Sequence, residues 1–105
     1  MKQYTTPEQT AKLIEFGKPK ASHRYWRENE LIINNNYSIG ELIEMLPNVV
    51  ESEDDEYATL QMYFDLFNWV IEYTGVEKTE YATSAIELID ALYEMVLQLK
   101  EEEII

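Results

Sequence analysis

Residues 57–74 read YATLQMYFDLFNWVIEYT, and the fold turns on whether this stretch is two strands or one helix. As strands, Leu60, Met62 and Phe64 alternate with Thr59, Gln61 and Tyr63. Trp69, Ile71 and Tyr73 then alternate with Val70, Glu72 and Thr74, with Asp65 to Asn68 as the turn. As a helix, Leu60, Phe64, Phe67 and Ile71 make a stripe, Ser52 caps it and Gly75 stops it. Periodicity alone leaves the two readings near even. The density of β-branched and aromatic residues favours strands.

Working outward, the flanking segments read as helices. Thr6-Pro7-Glu8-Gln9 is a capping box with proline at the first helical position. Gly17 and Pro19 end the helix near residue 16, with Leu13, Ile14 and Ala11 on its apolar side. Ser38-Ile39-Gly40-Glu41 is a second box, opening a short helix that stops before Pro47. At the C-terminal end, Ser84 and Glu87 suggest a third box and a helix running to about Glu102. Ile86, Ile89, Tyr93, Val96 and Lys100 form one stripe of it, and Leu88, Leu92, Met95 and Leu99 an adjacent one. A face that broad suits a helix laid across a sheet. Tyr25, Trp26 and Leu31-Ile32-Ile33 read as extended segments, and Asn34-Asn35-Asn36 as a loop.

Three of these segments, EQTAKLIEFGKPK (8–20), YSIGELIEMLP (37–47) and ELIDALYEMVLQLKEE (87–102), resemble a group of small proteins carried by phages and other mobile elements of gut anaerobic bacteria. The resemblance covers less than half of the chain, and its motifs are helices and caps. It implies a helix, a short helix, a hairpin-like sheet and a closing helix, which tips residues 57–74 towards strands. It implies no activity, ligand or catalytic residue. The chain departs from the group at its end, where EEEII stands in place of EEGVI. The expectation is a single α+β domain over residues 1–105, with three helices and a small antiparallel β-sheet (hairpin about 57–74), and the C-terminal helix packed on the sheet.

The 105 residues suffice for one core, and 46% of them are hydrophobic, too many for a disordered chain. The opening MKQYTTPEQT lacks the apolar centre of a secretion signal, and no apolar run approaches the roughly 18 residues of a membrane span. A soluble, cytoplasmic protein with no membrane association is expected. The net charge is −13 and is unevenly spread. Residues 1–36 carry six basic and four acidic side chains, whereas residues 37–105 carry two basic (Lys78 and Lys100) and seventeen acidic. Such a surface repels phosphate backbones, so direct nucleic-acid binding is disfavoured, and it attracts basic proteins.

Catalytic chemistry finds little to work with. There is no cysteine, which excludes thiolate catalysis and Cys-based metal sites. The lone His23 lies between Ser22 and Arg24, where a triad with its own neighbour is sterically poor. The acidic stretch 51–56 lacks the spacing and glycine of a calcium loop, and the three glycines are too isolated for a phosphate loop. No enzyme activity, metal or cofactor is expected.

Two surfaces remain. The acidic one comprises Glu53, Asp54, Asp55 and Glu56, with Glu87, Asp90 and Glu94 along the closing helix, read as facing away from the core. Carboxylates at helical spacing with few interrupting cations suggest a DNA-like inhibitor of a basic partner protein. The other is the basic, aromatic segment holding Lys18, Lys20, Arg24, Trp26 and Arg27. It suits a single nucleic-acid strand by charge and stacking, or it neutralises acidic surface on its own fold or on a second copy. The reading preferred is a non-enzymatic acidic interaction protein. The alternative is a small oligomeric structural or accessory protein with no charged target, its positive head paired to the negative body of another copy.

Overall fold

A computed structural model describes residues 1–17, 23–51, 56–76 and 78–105. The chain runs α1 (Pro7–Glu15), β1 (His23–Arg27), β2 (Glu30–Asn34), α2 (Ile39–Met45), β3 (Val49–Glu51), β4 (Tyr57–Asp65), β5 (Asn68–Thr74), β6 (Thr79–Ala85) and α3 (Leu88–Glu101). The architecture is α+β, with three helices among the described residues, a two-stranded sheet β1–β2 and a four-stranded antiparallel sheet in the order β3-β4-β5-β6. Residues 57–74 are the expected hairpin, in the register Leu60↔Tyr73, Met62↔Ile71 and Phe64↔Trp69. This alternation sends Ala58, Leu60, Ile71 and Tyr73 to the helix-covered face of the sheet.

Both N-terminal capping boxes form as read. Thr6 Oγ1 accepts from the Gln9 amide at 3.2 Å and Ser38 Oγ from the Glu41 amide at 3.2 Å, while Gln9 and Glu41 return bonds to the Thr6 and Ser38 amides. In α1 the inward side is Thr10 and Leu13, whereas Ala11 and Ile14 are exposed. Thr10 goes inward because its hydroxyl has partners there, in Thr5 and Asn36.

The third box does not exist. Ser84 lies within β6, paired to Val70 and exposed, and Glu87 is an N-cap whose side chain makes no capping bond. Pairing of the whole run 79–85 with β5 outweighs one cap bond, so α3 starts only at Leu88. Ile86, expected in the apolar stripe, lies in the connection and is exposed. Of the other expected members of the α3 face, Ile89, Leu92, Met95, Val96 and Leu99 are fully buried, while Leu88, Tyr93 and Lys100 are half-buried at its margins. α3 lies on β5 and β6 and touches α2, and Thr83 Oγ1 donates to the Ala91 carbonyl at 2.8 Å to fix helix to strand. Beneath it, the Tyr73 hydroxyl donates to the Pro47 carbonyl at 2.7 Å, and its ring meets Tyr81 edge-on. Among the described residues no helix is long and apolar enough to cross a membrane.

Candidate interaction surface

The carboxylates of α3 divide into two kinds. Glu87 and Asp90 begin the helix, where the macrodipole favours negative charge. The N-terminal segment is held beside them because Tyr4 bridges Ser38 and the Thr5 amide donates to the Tyr37 carbonyl at 2.8 Å. That placement brings the Lys2 amide to Glu87 Oε2 at 2.9 Å and Lys2 Nζ to Asp90 Oδ1 at 2.8 Å. Gln9 completes the arrangement: its Oε1 closes the α1 capping box while its Nε2 donates to Asp90 Oδ1 at 2.8 Å. Burial pushes the Asp90 carboxyl up, but the bonds from Lys2 and Gln9 and the Lys2 charge outweigh it and hold the group below the ordinary carboxylate value. These two acids therefore brace the fold and do not face away as their sequence spacing suggests.

Glu94 and Glu101 are different. Both are exposed on α3, seven residues apart and so on one helical side at about 10 Å spacing. Glu44 is exposed on α2 and Glu56 just before β4. Among the described residues, ion pairs tie Lys2 to Asp90, Lys12 to Glu15 and Lys78 to Glu80, and none reaches Glu44, Glu56, Glu94 or Glu101. Glu53, Asp54 and Asp55 lie outside the described residues.

The basic segment is only partly described, since Lys18 and Lys20 fall outside. Arg24, Trp26 and Arg27 lie on β1, all exposed. The β1–β2 turn places Glu28 and Asn29 at φ 51° and 67°, so the two strands close through a tight left-handed turn. Trp26 pairs across with exposed Leu31, and Arg27 with Glu30, so an acid already faces one of the basic side chains on this hairpin. No three His, Asp or Glu side chains converge on a cation position among the described residues.

One surface was not anticipated from the sequence. At the far end of the β4–β5 hairpin, Met62, Tyr63, Phe64, Leu66 and Phe67 are all exposed. The signal was present: Gln61 to Phe64 carries no charge, and the turn itself holds Leu66 and Phe67 where polar turn-formers are usual. Comparison with known protein families, with curated proteins and with solved structures gives no match, so the reading of these surfaces rests on their own chemistry.

Proposed function

We propose that the chain is a non-enzymatic acidic interaction protein that meets a protein partner with a basic surface, and that it is carried by a phage or other mobile element, as is the group its helical motifs resemble. The observation that supports this is the division among its carboxylates. Glu87 and Asp90 are consumed by Lys2 and Gln9, while Glu44, Glu56, Glu94 and Glu101 stand exposed and are in no ion pair among the described residues. Uncompensated like charge destabilises a compact fold and at the same time steers oppositely charged partners. A continuous DNA-like row along Glu87, Asp90 and Glu94 is not what supports the reading, because two of its three members already have partners. The exposed set on α2 and α3 supports a basic protein in the broader sense.

The test is affinity capture from a gut-anaerobe lysate on the immobilised chain at low and at high salt, run beside the triple variant Glu44→Gln, Glu94→Gln, Glu101→Gln. Basic proteins held by the wild type at low salt, released by high salt and lost with the variant are the expected result. Equal retention by the variant, or nothing retained at low salt, overturns the reading.

A further inference from the structure

β4 pairs with β5 from Thr59 to Asp65, but on its other side it is paired for less than half of its length. Tyr57, Ala58 and Thr59 pair with β3, and the Leu60 amide donates to the Asn48 carbonyl at 2.9 Å. From Gln61 to Asp65 that edge has no strand beside it among the described residues. The Leu60 N–H points away from β5. The alternation of an antiparallel ladder therefore turns the N–H and C=O of Met62 and Phe64 to the open side too, and those of Gln61, Tyr63 and Asp65 towards β5. An open edge is a template for another strand, and folded chains usually blunt it with charge or proline. Here Gln61 to Phe64 carries neither, in a chain of net charge −13.

The adjoining turn carries a second mark. Leu66 sits at φ 38°, a conformation that favours glycine or asparagine, and it and Phe67 are 81% and 78% exposed. A strained turn that presents two large apolar side chains to water has a use only when something covers it.

We propose that this edge is a homodimer interface, in which a second copy lays its own β4 antiparallel against it about a two-fold axis at Tyr63. The strand selects this register itself. Outward-facing residues must meet outward-facing residues, so Met62 of one copy pairs with Phe64 of the other, and the two such pairs form four N–H···O=C bonds. A shift of two residues one way drives the incoming strand into β3, and a shift the other way sets Met62 opposite the turn residue Leu66. In the central register, Met62 sulfur meets the Phe64 ring, the Gln61 amide meets the Asp65 carboxylate, Tyr63 meets itself, and no like charges oppose. Five residues span about 16 Å, room for one strand. Because β3 occupies the next stretch of the same edge, Leu66 and Phe67 of each copy arrive beside Pro47 and Asn48 of the other and leave water. The result is a continuous sheet β6-β5-β4-β4-β5-β6 across the dimer, and it is independent of the acidic-surface reading.

The absence of native cysteine makes the register directly testable. In a non-hydrogen-bonded antiparallel pair the facing Cα atoms are about 4.5 Å apart, close enough for a disulfide, so Tyr63→Cys forms covalent dimers under mild oxidation. Gln61→Cys places its thiols about 14 Å apart along the strands and does not. Light scattering on the wild-type chain shows dimer, favoured by added salt because salt screens the repulsion between two acidic copies. Met62→Pro removes an N–H that only the second copy uses, and yields a folded monomer. Should that variant not fold, the cysteine pair decides alone. The proposal is overturned by a wild-type monomer at millimolar concentration in high salt, by a dimer that persists in folded Met62→Pro, or by equal cross-linking at positions 61 and 63. A dimer that salt dissociates points instead to head-to-tail charge pairing and overturns it as well.

Discussion

The β4–β5 hairpin has one sequence pattern and two environments. At its closed end, Leu60 and Tyr73 pair across under the helices, β3 covers the outer edge, and Tyr73 and Ile71 are fully buried. At its open end, Phe64 and Trp69 pair in the same way and touch at 5.4 Å between ring centres, yet Phe64 is 56% exposed. The alternation decides which face a side chain takes. Whether that face is dry is decided by other elements: where β3 stops, and where α3, which begins only at Leu88, lies. The difference teaches that an apolar alternation longer than its cover is either a liability or an interface.

Truncating one residue at each end breaks the comparison most directly. Ile71→Ala removes a fully buried side chain between β4 and β6 and is expected to cost about 2–5 kcal/mol. Phe64→Ala has the same place in the alternation and is expected to cost the monomer less than about 1 kcal/mol, since over half of the ring is already in water. Urea denaturation of dilute protein measures both. Equal losses would show that the open end is packed as the closed end is.

Much of this was legible in the sequence. The capping boxes at Thr6 and Ser38, the hairpin, and the buried face of α3 follow from local rules that the structure obeys. What could not be read depended on partners distant in the chain. Ser84 looked like a cap because its own neighbourhood permits one, and only the ladder to Val70 shows it to be a strand residue. Asp90 looked like a solvated acid because Lys2 and Gln9 lie more than eighty residues away. The exposure of the β4 edge residues could not be read because alternation carries no information on what covers a face. For the acidic surface, position is partly legible and the partner is not, because charge describes a class of partner and no individual one.

A smaller effect sharpens the closed end through the Tyr73 hydroxyl, which donates to the chain entering β3. Burial pushes the Tyr73 phenol up to about 12, and its hydroxyl donates to the Pro47 carbonyl. Tyr73→Phe is expected to cost about 1–3 kcal/mol at neutral pH, since the carbonyl loses its donor. The folded value lies above the unfolded value of about 10, so the contribution is whole below pH 10 and is lost as pH rises from about 10 to about 12. The deficit of the variant should therefore shrink over that window. Denaturation midpoints at neutral pH and across the alkaline range provide the measurement, and a constant deficit would mean that the phenol does not titrate from within the core.

The least effect, and the only gain, is expected beside it at Thr74. This residue ends β5, pairs with Thr59 on one side and Thr79 on the other, and sits where the β5–β6 register shifts. Its Oγ1 is buried and meets no hydrogen-bond partner among the described residues, which leaves a desolvated hydroxyl uncompensated. Valine has nearly the same shape and an equal preference for strands, and it lacks the hydroxyl. Thr74→Val is therefore expected to stabilise by about 0.5–1 kcal/mol, because nothing favourable is lost with the oxygen. The same substitution at Thr83 is the control, since that hydroxyl donates to the Ala91 carbonyl and its removal should destabilise. Opposite signs at positions 74 and 83 would show that the closed end is limited by one unpaired polar group and not by packing. A loss at Thr74 would mean that its hydroxyl does have a partner in solution, and that the register shift between β5 and β6 is held by it.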